Sequence, residues 1–151
     1  MKDLGRITDV QGVLVGHWTD ATAMTGCTAI LLPPGATGGV SMGGSAPATR
    51  DTRVMDPESR IDEVHAILFT GGSAYGLDAA GGVMRFLERK GVGHVTAAGL
   101  VPMVPCAAIY DLNRGDPSVR PGPAQGEAAA AAAAVDFATG RVGAGTGATC
   151  G

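Results

Sequence analysis

The chain has 151 residues, of which 45% are hydrophobic and 17% are charged. This length and composition indicate one globular domain with a buried core and exclude a disordered chain. The net charge of −3 and an aromatic content of 4% offer neither the basic patch nor the stacking rings that nucleic-acid-binding proteins use. Glycine contributes 25 residues, which predicts many tight turns and close backbone contacts.

The cysteines Cys27, Cys106 and Cys150 are widely spaced and show no CxxC pattern. They therefore suggest neither a zinc site nor a disulfide framework, and a reducing, cytoplasmic setting fits best. The N-terminal residues lack the apolar core of a signal peptide. The longest apolar stretch, residues 128–135, is far shorter than the ~20 residues that a membrane-spanning helix needs.

Apolar runs punctuated by glycine and proline predict an α/β chain with helices layered over a sheet. The predicted strands are residues 12–17, 28–32, 37–44, 64–70, 94–98, 104–112 and 142–149, and the predicted helices are residues 73–90 and 125–137. The turn at residues 33–35 (PPG) ends the second strand, so residues 37–44 are expected to return beside it as a hairpin. Residues 45–57 are interpreted as an ordered loop, and residues 59–63 as a helical turn.

The helix at 73–90 has the clearest signals. Ser73 is a plausible N-cap, and Gly91 is a natural residue to follow the C-terminus. Its apolar residues recur at helical spacing on one face and are Leu77, Ala80, Met84 and Leu87. Small residues in the same helix lower its intrinsic propensity, and we expect them to permit close approach to a neighbouring helix or sheet.

A glycine-rich turn, GGSAYGL at residues 71–77, follows the predicted strand at 64–70. Its spacing is neither the GxGxxG of dinucleotide-binding proteins nor the GxSxG of a nucleophile elbow. N–H groups at a strand-to-helix turn favour a carboxylate or an oxyanion. The alternative is a tight structural turn in which Tyr75 packs into the core.

Other candidate residues are less specific. Tyr110 and Asp111 end an apolar run. The Tyr110 hydroxyl would either donate to an oxyanion or, on a half-buried ring, simply face solvent. The GAGTG segment at 143–147 lacks the GK[ST] ending of a phosphate-binding loop and more simply predicts a closely packed strand. His17, His65 and His94 have no metal-ligand spacing and are interpreted as structural. The residues alone therefore predict a small-molecule pocket of backbone and tyrosine, with no Ser/His/Asp triad.

Four segments together carry a family resemblance: ITDVQGVLVGH (7–17), HAILFTGGSAYGLDAAGGVMRFLE (65–88), VPMVPCAAIYDL (101–112) and GRVGAGTGATCG (140–151). In this order and spacing they resemble the start of the DmpA-type aminopeptidases. That family includes L-aminopeptidase/D-esterases, β-aminopeptidases and nylon-oligomer hydrolases. The resemblance spans essentially the whole chain.

The resemblance implies an N-terminal-nucleophile hydrolase with the four-layer α/β/β/α fold shared with ornithine acetyltransferase. Residues 1–151 would be a single domain portion on its α-subunit side. The precursor of such an enzyme cuts itself once, and the Ser or Thr exposed at the new N-terminus of the β subunit attacks an amide or ester carbonyl, with its own α-amine as base. The implied substrates are N-terminal amino acids or small amide oligomers, and the implied assembly is a tetramer or larger. The resemblance implies no metal, organic cofactor, nucleic acid or membrane.

Site residues are carried over from this resemblance one by one. Tyr110 matches the family tyrosine that lines the active site and helps stabilise the oxyanion. The GGSAYGL turn matches a segment at the substrate cleft, which makes Gly72, Ser73 and Tyr75 candidate substrate-binding residues.

The chain stops before the family's lysine, its oxyanion asparagine and its nucleophile, and neither Thr146 nor Thr149 occupies the nucleophile position. Activity is therefore expected of the complete assembly and not of this chain alone. Two alternatives stay open: a non-catalytic small-molecule-binding or assembly module of the same fold, and an acyltransferase similar to ornithine acetyltransferase.

Overall fold

The computed structural model describes residues 5–150. Its strands in this range are β1 Leu14–Asp20, β2 Thr25–Leu31, β3 Thr49–Arg50, β4 Ala66–Thr70, β5 His94–Thr96, β6 Gly99–Val101 and β7 Cys106–Ala108. The α-helices are α1 Ala79–Arg89 and α2 Pro123–Ala131. Short 3-10 helices occupy Ile7–Asp9, Thr52–Met55, Ser73–Asp78 and Gly143–Gly145.

The main sheet has the strand order β1-β2-β4-β7-β3, and β5 and β6 form a separate hairpin. β1 and β2 are antiparallel, and so are β2 and β4 and also β3 and β7. β4 and β7 run parallel, with α1 and the β5–β6 hairpin in the crossover between them. The α/β prediction is confirmed, and both helices lie against this mixed sheet.

The core lies between one face of the sheet and the two helices. The inward residues of the sheet alternate along the strands and are Cys27, Ala29, Ala66, Leu68 and Cys106. α1 contributes Ala80, Val83 and Leu87, and α2 contributes Ala129 and Ala130. A Cβ atom at Gly16 of β1 would overlap the backbone of α2, so the helix rests directly on the strand.

The prediction of a helix near 73–90 is confirmed in type, but its start is wrong. Ser73 does not cap it: the residue has a φ of 55°, and a 3-10 helix fills Ser73–Asp78 before α1 begins. The predicted end is correct, because the N–H of Gly91 donates to Glu88 O and the N–H of Val92 donates to Leu87 O. These two bonds form a Schellman motif, which the φ of +71° at Gly91 permits.

Two predicted strands are wrong. Residues 37–44 contain no strand, and β2 instead pairs with β4, where Ile30 lies opposite Ile67. The segment 142–149 forms a 3-10 turn, because the N–H groups of Gly143 and Ala144 donate to the hydroxyl oxygens of Thr19 and Thr28. The helical turn expected at 59–63 is also absent from this described segment.

The remaining predicted elements are present with shifted ends. The strands expected at 12–17, 28–32, 64–70, 94–98 and 104–112 correspond to β1, β2, β4, β5 and β7. α2 begins at Pro123 and stops at Ala131, because Ala134 leaves the helix to pair with Val15. Within residues 5–150, no helix has the length and apolarity needed to cross a bilayer.

The contact between α1 and α2 depends on glycine. A Cβ atom at Gly82 would overlap the carbonyl oxygen of Pro123, and one at Gly126 would overlap that of Ala79. Each helix therefore approaches the other at backbone distance, which small side chains allow. This close contact is the packing that the small residues of the predicted helix led us to expect.

We expect Gly82→Ala to lower the free energy of unfolding by about 1–3 kcal/mol, since the overlap with Pro123 outweighs the better helix propensity of alanine. Gly81→Ala is the matched control, because the nearest atom to its new Cβ would be Arg85 Nη1 at 3.7 Å. This control should instead raise stability by about 0.5–1 kcal/mol. Urea denaturation of both variants measures the difference, and equal midpoints would contradict the close-contact assignment.

Candidate functional site

The candidate site lies at the edge of the sheet where β4 and β7 both end. Because these strands are parallel, their carboxyl ends, Thr70 and Ala108, meet at the same edge. The glycine-rich turn starts directly after Thr70, and Tyr110 comes two residues after Ala108. Ligands in α/β proteins commonly bind outside the carboxyl ends of parallel strands. The topology thus brings together the two segments that the sequence singled out separately.

Backbone hydrogen bonds fix the two segments to each other. The N–H of Ile109 donates to Thr70 O at 2.7 Å, and the N–H of Ser73 donates to Ile109 O at 3.0 Å. The N–H of Gly71 donates to Gly26 O at 2.8 Å. The turn is therefore joined both to β2 and to the chain just before Tyr110.

A buried carboxylate occupies the inside of the turn. Asp111 is 3% exposed, and its Oδ1 accepts the N–H of Gly72 at 2.7 Å. Its Oδ2 accepts the hydroxyl of Thr25 at 2.7 Å. The sequence suggested that the N–H groups of the turn would face a ligand, but those of Gly71, Gly72 and Ser73 are used within the chain. The carboxylate of Asp111 occupies the place that a bound anion would take, and in this respect the turn is structural.

Left-handed backbone makes this turn possible. Gly72 has a φ of +79° and Ser73 a φ of 55°, a region that costs a non-glycine residue roughly 1–2 kcal/mol. At Gly72 a Cβ atom would also lie 3.1 Å from Arg120 Cβ and from Pro121 Cδ. The hydrogen bonds donated by the N–H groups of Gly72 and Ser73 hold Ser73 in this strained conformation.

Two tyrosines are exposed at this edge. Tyr75 is 64% exposed and Tyr110 is 63% exposed. The guanidinium of Arg120 lies 4.0 Å from the centre of the Tyr75 ring, a cation–π arrangement that stabilises an exposed ring by about 0.5–1 kcal/mol. The alternative in which Tyr75 packs into the core is therefore wrong.

His17, His65 and the two buried cysteines have structural surroundings. His17 lies between the hydroxyl of Thr28 and the carbonyl oxygen of Ala138. His65, which is 5% exposed, accepts the N–H of Met103 through Nδ1 at 3.0 Å. Within residues 5–150, no group of three or more His, Cys, Asp or Glu side chains could hold a metal ion. Burial raises the pKa of Cys27 and of Cys106 to about 12, so neither thiol forms a thiolate nucleophile at neutral pH.

The face of the sheet opposite the helices carries an apolar groove of about 370 Å³. Phe69 and Ile67 of β4 form its floor, and Val40 and Met42 line its side. Phe69 is 42% exposed and Met42 is 53% exposed. Polar groups cover the neighbouring part of the same face, where the 143–145 turn rests on Thr19 and Thr28. An apolar area of this kind typically marks an interaction surface.

Comparison with known proteins identifies the family. The sequence model of peptidase family S58 matches residues 5–151. The chain belongs to peptidase family S58. An uncharacterized aminopeptidase of Mycobacterium tuberculosis is 46% identical over 98% of this chain. A 6-aminohexanoate-oligomer endohydrolase of Paenarthrobacter ureafaciens is 35% identical over 95% of it.

The solved structures of similar proteins agree with this S58 assignment. The L-aminopeptidase D-Ala-esterase/amidase of Ochrobactrum anthropi, a variant of the N-terminal-nucleophile hydrolase fold, matches 93% of this chain with a TM-score of 0.74 and 23% identity. A β-aminopeptidase of Burkholderia sp. matches 97% with a TM-score of 0.69 and 25% identity. The predicted fold and family are therefore confirmed. This S58 chain spans about half the length of its relatives, for example 45% of the mycobacterial protein and 43% of the Ochrobactrum chain.

Thr25 was missed by sequence reasoning, and Asp111 was noticed only as the neighbour of Tyr110. Each lies in a different strand-end segment, and only the fold brings their side chains together. A signal was present in the run IYDL, where a carboxylate follows an apolar strand directly. Such a residue must either face solvent or find donors inside the protein.

The surroundings of His65 predict an acid-sensitive stability. Burial lowers its pKa first, His94 lowers it further, and Glu63 opposes both. In the unfolded chain the imidazole takes up a proton near pH 6.5, whereas the lowered pKa keeps the native imidazole neutral at that pH. The stability that His65 contributes is therefore complete above pH 6.5 and is lost as the pH falls below it.

We expect the melting temperature to fall between pH 7.5 and pH 5.5, and to fall less in His65→Gln. His17→Gln, which leaves His65 in place, should retain the His65 contribution. An identical fall in His65→Gln and wild type would contradict this assignment.

Proposed function

We propose that this chain is the N-terminal, α-side part of an N-terminal-nucleophile aminopeptidase or amidase. The complete protein would hydrolyse amide or ester bonds of N-terminal amino acids or of small amide oligomers. The observation that carries this proposal is the exposed Tyr110 at the shared edge of β4 and β7 in a chain of peptidase family S58. Residues 1–151 would act as a single domain portion of that enzyme.

Tyr110 is the proposed oxyanion donor. A phenol hydroxyl aimed at the scissile carbonyl stabilises the negative charge that develops on its oxygen during attack. The N–H groups of Gly71, Gly72 and Ser73 are already used inside the chain, so these three are not available as oxyanion donors, and the exposed Tyr110 is proposed instead. Gly72, Ser73 and Tyr75 would shape the adjacent substrate pocket, with Tyr75 held by Arg120.

The nucleophile would come from the C-terminal part of the complete protein. A Ser or Thr at a newly formed N-terminus carries its own α-amine as a general base. This arrangement agrees with a chain in which His17 and His65 bind backbone and hydroxyl groups and the buried thiols of Cys27 and Cys106 stay protonated. The proposed reaction uses no metal or organic cofactor.

The C-terminal part would also cover the open face of the sheet. The groove over Phe69 and Ile67 is apolar, and Val40 and Met42 beside it are 40% and 53% exposed. A second sheet packed there would bury these side chains and complete the four layers that the resemblance implies. The relatives are about twice as long as this chain, which leaves enough sequence for such a layer. We further propose that the assembled enzyme is cytoplasmic and forms a homo-oligomer, a tetramer or larger.

Self-processing gives the first test of this proposal. Intact mass spectrometry and N-terminal sequencing of the complete gene product should find two chains, the second of which begins with Ser or Thr. Replacing that residue by Ala should leave one uncleaved precursor. A complete gene product that stays a single chain in the wild type would overturn the proposed mechanism and favour a non-catalytic binding or assembly module.

The second test concerns the oxyanion donor. In the complete enzyme, Tyr110→Phe should lower kcat for an amino-acid p-nitroanilide or a 6-aminohexanoate oligomer by about 10²-fold, because one oxyanion donor is lost. Tyr75→Phe is the comparison at the other exposed tyrosine of this edge, since its ring keeps the contact with Arg120. Its hydroxyl has no proposed role in the chemical step, so kcat should stay within about threefold of wild type and any effect on the pocket should appear in KM.

An unchanged kcat in Tyr110→Phe, with the same melting temperature as wild type, would remove Tyr110 from the mechanism. The assay should also include an acyl-accepting amine. Acyl transfer in preference to hydrolysis would point to an acyltransferase similar to ornithine acetyltransferase.

A further inference from the structure

The carboxylate of Asp111 connects three segments of the chain. Its two oxygens accept hydrogen bonds from Gly72 N–H and Thr25 Oγ1, both at 2.7 Å. The first donor belongs to the turn after β4 and the second to the start of β2. Asp111 itself follows β7, so one side chain joins the ends of three neighbouring strands. Both partner residues are buried, and Thr25 is 2% exposed.

The surrounding backbone is shaped to this carboxylate. A Cβ atom at Gly71 would overlap Asp111 Oδ2, so only glycine leaves room there. At Gly147 a Cβ atom would lie 2.8 Å from Asp111 Cβ and would overlap the carbonyl oxygen of Met24. The chain therefore encloses Asp111 with glycine on two sides. A hydrogen-bonded carboxylate in such a close-fitting site has little freedom to move.

Tyr110 depends on this enclosure because it immediately precedes Asp111. The residue is 63% exposed, so few contacts within the chain hold its side chain. Its backbone is fixed on both sides: Ile109 bonds to Thr70 and Ser73, and the carbonyl oxygen of Asp111 accepts the N–H of Arg114 at 2.9 Å. The anchored backbone on both sides thus fixes the position from which the Tyr110 side chain projects.

We propose that Asp111 is a positioning residue that fixes Tyr110 for catalysis through its hydrogen bonds to Gly72 and Thr25. This inference rests on the proposed role of Tyr110 as oxyanion donor. Asp111 is 3% exposed and both of its oxygens accept hydrogen bonds inside the chain, so we assign it a role through its neighbours and not a contact with substrate. Its effect is to hold the turn and the tyrosine in one geometry, and a displacement of about 1 Å at a reacting centre costs about 10²-fold in rate.

Three variants of the complete enzyme test this role. Asp111→Ala removes both hydrogen bonds and should lower kcat about 10²-fold, with KM within about threefold of wild type. Asp111→Asn should stay within about fivefold of wild type, because its Oδ1 still accepts from Gly72 and its Nδ2 donates to Thr25 Oγ1. Thr25→Val keeps the shape of the threonine but removes one donor, and should lower kcat about tenfold even where Asp111→Ala fails to fold.

A double-mutant cycle separates this inference from the proposed function. If Asp111 acts through Tyr110, Asp111→Ala should lower kcat little further once Tyr110→Phe is present. Full, multiplicative losses would overturn the positioning role while leaving Tyr110 as the donor. An unchanged kcat in Tyr110→Phe alone would instead reject the proposed function of Tyr110.

Hydrogen–deuterium exchange provides a readout that does not depend on activity. Asp111→Ala and Thr25→Val should both speed exchange at the amides of residues 71–73, and Asp111→Asn should not. Unchanged exchange and unchanged kcat in a folded Asp111→Ala would overturn the inference. So would an Asp111→Asn variant that loses as much kcat as Asp111→Ala, because the charge and not the hydrogen bonds would then be responsible.

Discussion

The candidate site depends on the parallel pairing of β4 with β7. The other strand pairs of this sheet within residues 5–150 are antiparallel. Parallel strands end at the same edge, so the turn after Thr70 and the loop after Ala108 become neighbours although some forty residues separate them in sequence. Asp111 then joins these two ends to the start of β2. An antiparallel pair would have placed the tyrosine at the far edge of the sheet.

Small residues make this arrangement compact. α1 and α2 touch through Gly82 and Gly126, and α2 rests on β1 at Gly16. At each contact the two backbones are closer than any side chain would allow. The two helices therefore pack closely against each other, and α2 packs closely against the sheet. Glycine therefore has two separate roles. In the helices it allows close packing, and in the turn at 71–72 it leaves room for the side chain of Asp111.

Sequence periodicity predicted the elements whose signal lies within a single segment. The strand at 64–70 and the end of α1 at Gly91 are examples, because an apolar run and a Schellman glycine are visible in a single segment. The segments 37–44 and 142–149 were wrongly predicted as strands, since each lies on the open face of the sheet. Thr19 and Thr28 hold the second segment there, and residues 39–43 of the first line the apolar groove beside Ile67 and Phe69. The partners of Asp111 were unpredictable for the same reason: Thr25 is 86 residues away in sequence.

The internal carboxylate also explains why the turn looks like an anion-binding site from its sequence. Burying a charge is costly unless donors surround it, and here a backbone N–H and a hydroxyl provide them. In a turn already filled by the Asp111 carboxylate, the N–H groups of residues 71–73 are not available to an oxyanion, so we assign stabilisation of the developing charge to a side chain. In the proposed enzyme this side chain is Tyr110, and an N-terminal nucleophile brings its own base. The contribution required of this part of the protein is then a rigid sheet edge that presents one hydroxyl, which accounts for a site without a triad.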